Sequence, residues 1–207
     1  TDSAAILQLA ENTPVVLACE YIRGLPVPSV SIDNRTAAFT ATQHLLAQGH
    51  TRIGMINGPA SIILCHDRLS GYRFALEQAG LPFRAELVKE GNFRIDSGFA
   101  LMEELLQAET PPSAVFCAND EMAMGAIQAV RAAGLTVPGD VAVVGFDDIT
   151  FASVVEPPLT TIAQPTYEIG ATAMRLLLGQ IRGEKLVDSQ VVLPHTLVIR
   201  RSSGVPG

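Results

Sequence analysis

The sequence predicts an α/β protein in which helices cover mainly parallel sheets, and three observations carry that reading. Residues 112–149 contain a complete strand, helix, strand unit. Helices ending at Gly49, Gly80 and Gly134 are each followed within a few residues by a strand, so the same unit recurs, as in a doubly wound sheet. The expected strands are continuous apolar runs rather than alternating ones, the pattern of strands covered on both faces.

The elements follow in order. Residues 4–10 read as the tail of a helix, and Pro14 leads into a strand over 15–19. Residues 20–28, with Gly24, Pro26 and Pro28, read as a loop, and 30–32 as a short strand ending in Asp33 and Asn34. A helix over 36–48 closes at Gly49, and a strand over 52–57 runs into Gly58 and Pro59. Residues 61–66 read as a loop whose apolar centre, Ile62, Ile63 and Leu64, lies exposed at a pocket rim or against a partner. Asp67 then caps a helix to Ala79. A strand over 87–90 leads into Gly91, Asn92 and Phe93, and Asp96 or Ser97 starts a helix to Gln107. After the strand 114–118, Asn119 and Asp120 cap a helix with an apolar stripe at Met122, Ala126, Ala129, Val130 and Ala133, stopped by Gly134. The strand 141–146 ends in Asp147 and Asp148, and a loop over 150–159 follows. The last elements are a strand over 160–163, a helix from Pro165 to Ile181 and an extended tail over 190–200 broken by Pro194.

A length of 207 residues suits one large domain or two lobes, and 48% hydrophobic with 17% charged residues suits a globular chain. No apolar run is long enough to cross a bilayer. The net charge of −7, without a cluster of Lys and Arg, argues against a nucleic-acid surface on this segment. Cys19, Cys65 and Cys117 are odd in number, far apart and in apolar surroundings, which reads as buried thiols in a reducing compartment rather than disulfides or a metal site. There is no P-loop, no GxGxxG after a strand, no CxxC and no nucleophile elbow, and the four histidines lack zinc-ligand spacing. No cofactor and no metal is expected. The opening TDSAAILQLAENTP reads as the middle of a helix, so the chain is expected to be a fragment.

Parallel strands in one sheet present their carboxyl ends on one edge, where open α/β sheets bind ligands. Gly58, Phe93, Asn119 and Asp147 are therefore expected around one crevice. Asp147 and Asp148 fit a catalytic pair, a metal site, acceptors for a polar ligand, or a solvated strand end. Arg68, expected in the first turn of its helix where a cation opposes the macrodipole, reads as paired, either with Asp147 or with a ligand. Phe93 reads as core or as a ring stacked on a flat ligand. His66 is the one histidine near the expected rim.

Six motifs in one order, GHTRIGMINGP, DRLSGY, PPSAVFCANDEMAMGAI, GLTVPGDVAVVGFDDI, PPLTTIAQP and IRRSS, resemble the effector-binding core of the LacI/GalR family of bacterial transcription repressors over nearly the whole chain. The resemblance implies a periplasmic-binding-protein-like fold, two doubly wound parallel-sheet lobes joined by three crossovers, with a small effector in the cleft. It places 1–50 and 161–186 in an N-terminally truncated first lobe and 51–160 and 187–203 in the second. Matched by position, Arg68 is the family's ligand-binding arginine, Phe93 its cleft aromatic and Asp147 its sugar-binding aspartate. Asp33 matches the acid near a crossover, and Asn119 or Asp120 the polar residues after the strand. Ile62 and Leu64 stand where the family's purine-binding members carry Arg and Thr, while 64–72 and 157–170 are closest to its cytidine-responsive branch. The implied protein is the ligand-sensing core of a cytoplasmic homodimeric repressor, not an enzyme and not in a membrane. It meets operator DNA through a helix-turn-helix domain absent from this chain. The alternative is a periplasmic sugar- or nucleoside-binding protein of a transporter. The expected effector is a nucleoside, cytidine first, or a sugar, with Ile62, Leu64 and His66 at the rim, Phe93 on the base, and Arg68 and Asp147 on vicinal hydroxyls.

Overall fold

The computed structural model describes residues 3–184 and 188–204. In chain order its elements are α1 (Ser3–Ala10), β1 (Leu17–Ala18), β2 (Ser29–Ile32), α2 (Asn34–Ala47), β3 (Ile53–Asn57), α3 (Ile63–Gln78), β4 (Val88–Glu90), α4 (Ile95–Leu106), β5 (Ala114–Cys117), α5 (Asp120–Ala132), β6 (Ala142–Asp147), β7 (Thr160–Ala163), α6 (Thr166–Ile181), β8 (Gln190–Leu193) and β9 (Thr196–Val198). Two compact units result, one of Thr1–Asp33 with Gln164–His195 and one of Asn34–Ala163 with Thr196–Gly207. The chain passes between them three times, as the resemblance implies.

The smaller unit carries a three-stranded parallel sheet in the order β1-β2-β8. Only β2 is buried throughout; β8 alternates between exposed and half-buried residues. The larger unit carries six strands in the order β4-β3-β5-β6-β7-β9, parallel except where β9 runs antiparallel to β7. Here β3 and β5 are buried along their whole length, which is why they read as unbroken apolar runs. Phe116 and Phe146 meet in this core with ring centroids 6.5 Å apart, and the Tyr72 hydroxyl donates to the Ile53 carbonyl at 2.7 Å.

Three expectations change. The helix α2, assigned to the first lobe, packs with α3 in the larger unit: a Cβ on Gly71 would come 2.1 Å from the Arg35 carbonyl oxygen. Only a bare glycine lets the two backbones approach so closely. The tail expected to lie wholly in the second lobe splits, because β8 extends the smaller sheet beside β2 while β9 caps the larger one. The lobe boundaries thus fall at 33/34, 163/164 and 195/196, and the expected one at 186/187 lies outside the described residues.

The third change concerns 61–66, expected as an exposed apolar loop. The helix α3 begins at Ile63 with no side-chain cap on Ile62, so Asp67 is not the cap but a buried residue of the second turn. Leu64, Cys65, Arg68, Tyr72, Ala75 and Leu76 form its buried stripe at helical spacing. Leu64 is only 9% exposed, so it is core rather than rim, and Ile62 and Ile63 are half-buried. The apolar stripes of α2 and α3 are likewise buried, leaving Phe74 exposed beside Phe39. Cys65 and Cys117 are buried thiols as expected; Cys19 is exposed, because it lies just past the two-residue β1 at φ 64°.

Candidate functional site

The carboxyl ends of β3, β4, β5 and β6 bring the expected residues together. Gly58 follows β3, and a Cβ there would sit 2.2 Å from the Phe93 ring and 2.7 Å from Cys65 Sγ, so glycine is required for the ring to lie across this end. Phe93 is half-buried and left-handed at φ 68°. Asn119 Nδ2 donates to the Phe93 carbonyl at 2.8 Å, while Asn119 Oδ1 accepts from the Met122 N–H at 3.0 Å. Asn119 is the helix cap that the sequence predicts, and it also pins Phe93. Asn57, which sequence reasoning passes over, donates to the Cys65 carbonyl at 3.0 Å, and its buried Oδ1 has no hydrogen-bond donor among the described residues.

Arg68 is 5% exposed. Its guanidinium lies over the Phe146 ring at 3.7 Å, donates from Nε to Asn34 Oδ1 at 2.9 Å and from one terminal nitrogen to the Ala118 carbonyl. Because α3 starts at Ile63, Arg68 stands in the second turn, so opposition to the helix dipole does not explain its placement. What explains it is a buried shelf of Phe146, Ala118 and Asn34 that holds a planar cation over the ends of β5 and β6.

Asp147 ends β6 at φ 110°, and Asp148 follows at φ 54°. Two successive non-glycine residues in this region cost about 1–3 kcal/mol each, and such strain collects at ligand sites. Asp148 is bound by Arg200, Nη2 to Oδ1 at 2.7 Å. Beneath them Asp120, 1% exposed, accepts from the Thr161 hydroxyl at 2.6 Å and from the Ile149 N–H at 2.9 Å. Burial above all pushes the Asp120 carboxyl up to about 7; the Thr161 and Ile149 hydrogen bonds pull it down, and the Asp147 and Asp148 charges raise it further. Sequence reasoning named Asp120 only as a helix cap beside Asn119 and as its alternative at the site, and Arg200 only within the IRRSS motif.

Two expected residues remain. His66 is exposed on α3. Asp33 belongs to the smaller unit, exposed at the end of β2, where Tyr21, Arg23 and Ser31 join it around a cavity of about 370 Å³. Burial lowers the pKa of nearby His195, against the pull of the Asp33 carboxylate. Among the described residues no cluster of His, Cys, Asp and Glu is arranged to hold a metal, and no helix is long and apolar enough to cross a membrane.

A buried cation, a left-handed aspartate and an aromatic ring thus gather at the carboxyl edge of a six-stranded, mainly parallel sheet. Residues 42–203 match the family model of the periplasmic binding protein-like domain. The chain is 44% identical over 200 residues to the HTH-type transcriptional repressor CytR of Escherichia coli (strain K12), covering 97% of this chain and 59% of that protein. It is similar to the solved complex of the transcriptional regulator CelR with cellobiose, 43% identical with a TM-score of 0.84 over 88% of this chain and 57% of that one. The transcription regulator CcpA of Lactococcus lactis superposes with a TM-score of 0.92 at 33% identity, over 98% of this chain and 74% of that one. The chain belongs to the periplasmic-binding-protein-like family, as the ligand-binding core of LacI-type transcriptional regulators. It spans 59% of the length of the curated repressor it matches.

Proposed function

We propose that this chain senses a nucleoside, cytidine first, for a homodimeric cytoplasmic repressor that meets operator DNA through another domain. The observation that carries the reading is the Arg68 guanidinium held over Phe146, one residue from the strained Asp147 carboxylate. A planar fork donor and a charged acceptor so placed suit two adjacent hydroxyls of one ring. Phe93 offers a base an aromatic face, and half-buried Ile62 adds apolar contact; Leu64 is withdrawn from that role. The resemblance of 64–72 and 157–170 to the family's cytidine-responsive branch supports the nucleoside over other ring ligands. Effector binding acts by population shift, since a ligand moves an equilibrium only by its different affinity for the two states. The transporter reading is not favoured, because the relative and the two solved structures named above are transcription regulators. A sugar is the second reading, on the strength of the cellobiose complex of a 43% identical regulator.

Titration calorimetry with a ligand panel tests this. Cytidine or uridine binds more tightly than adenosine, the 2′-deoxy analogues bind about 1–3 kcal/mol more weakly, and free cytosine hardly binds. Asp147→Asn costs about 1.5–3 kcal/mol of cytidine affinity. Cellobiose or a hexose binding as tightly as cytidine moves the assignment to the second reading. For the homodimer, sedimentation of the longer parent as a monomer at micromolar concentration overturns the expectation.

A further inference from the structure

We propose that Asp120 and Arg200 are positioning residues of this site, gripping the turn 147–149 from two sides so that the Asp147 carboxylate keeps one direction. The inference rests on the ligand-binding reading of the same edge. A left-handed pair of aspartates persists only where its surroundings over-determine it. Here the residues after Asp147 are both held, Asp148 by the Arg200 guanidinium and the Ile149 amide by the Asp120 carboxylate.

Each grip is itself braced. Asp120 is fixed by its second oxygen, which takes the Thr161 hydroxyl of β7, and by its place in the first turn of α5, where a negative charge suits the helix dipole. Arg200 also donates to the Leu159 carbonyl at 2.8 Å. Its backbone N–H donates to Thr160 Oγ1 at 2.8 Å, and its carbonyl accepts from that hydroxyl at 2.9 Å. Behind Thr160 stands Ser203, whose hydroxyl donates to Thr160 Oγ1 at 2.7 Å and lies 2.8 Å from His44 Nε2. A guanidinium with both ends anchored is a poor surface ion pair and a good strut.

The grips are coupled electrostatically. The charged and titratable groups facing Asp120 are Asp147 at the end of β6, Asp148 just after it and already paired with Arg200, and Cys117 from β5, whose thiol burial and the Asp120 charge push up. A ligand donating hydrogen bonds to Asp147 weakens its field at Asp120, so binding near neutral pH releases protons from Asp120.

The test has two arms on the intact chain. Without ligand, hydrogen exchange at the Ile149 amide is slow in the wild type and about tenfold faster in Asp120→Ala, while Asp120→Asn, which still offers an acceptor, restores protection. With cytidine as the probe, Arg200→Met loses about tenfold in affinity and Arg200→Lys recovers part of it. Calorimetry in two buffers of different ionisation enthalpy at pH 7 finds proton release in the wild type and none in Asp120→Asn, a readout that a purely structural role leaves unchanged. Wild-type affinity in Arg200→Met, or wild-type Ile149 exchange in Asp120→Ala, overturns the proposal. A wild-type chain that binds neither cytidine nor cellobiose overturns the effector reading, and the exchange arm then decides the grips alone.

Discussion

The carboxyl ends of β5 and β6 lie side by side in one sheet and look alike in sequence, Ala118, Asn119, Asp120 against Phe146, Asp147, Asp148, yet their backbones part at once. After β5 the chain enters α5 in one extended step, with Asn119 at φ −150° and its side chain on the Met122 amide. Asp120 turns inward and is buried. After β6 the chain turns left-handed twice and reaches only a 3₁₀ turn at Thr150–Ser153. The lesson is that a polar pair after a parallel strand is consumed where a helix follows immediately and presented where one does not. The two ends are also linked, because the buried acid of the first supports the strained turn of the second.

The harshest way to break that link is Gly145→Val. A Cβ at Gly145 would lie 2.3 Å from Asp120 Oδ1 and 2.9 Å from Leu159 Cδ2, so both ends are wedged apart. We expect a loss of about 3 kcal/mol in urea denaturation. A loss below about 1 kcal/mol would show that Asp120 has room to move. Asn119→Ala strikes the relaxed end alone, removing the cap and the Phe93 anchor, for about 2 kcal/mol by the same measurement. An unchanged midpoint would mean that water replaces both bonds.

Asp147→Gly separates the strain from the chemistry. Glycine accepts φ 110° without penalty, so the fold should gain about 1 kcal/mol after allowance for the freer unfolded chain, while cytidine binding disappears. A less stable protein would show that the left-handed backbone serves the fold and not the ligand. The gentlest probe is pH. Asp120 holds its proton more tightly in the folded chain than in the unfolded one, so its contribution to stability is full below about pH 4 and falls as pH rises to about 7. Scanning calorimetry at pH 5 and pH 8 should find a smaller drop in Tm for Asp120→Asn than for the wild type, and equal drops would remove Asp120 as the source.

The regular parts of this arrangement are legible in the sequence for a physical reason. Strands buried on both faces must be continuous apolar runs, and the helices closing at Gly49, Gly80 and Gly134 use the left-handed glycine that such ends favour. The α3 start is not legible, because Ile62 caps nothing with its side chain and Asp67 imitates a cap one turn too late. The tail at Pro194 is not legible either, since its two halves are extended alike and only their partners, β2 and β7, tell them apart. At the site, residue types found Arg68, Phe93 and Asp147, whereas the positive φ of Phe93, Asp147 and Asp148 has no glycine to announce it.

The antiparallel pairing of β9 with β7 has a consequence for the order in which the larger unit assembles. Every other pairing in its sheet joins strands from the continuous stretch 34–163, but β9 arrives only after the chain has left through 164–195 and returned. Its docking therefore carries the closure entropy of that whole excursion, a cost that grows only slowly with length but falls on this one strand. As an edge strand paired on one side alone, β9 is expected to join late and to fray early. Arg200 sits two residues beyond it, so opening of this outermost seam detaches the guanidinium from Asp148 well before the sheet itself melts.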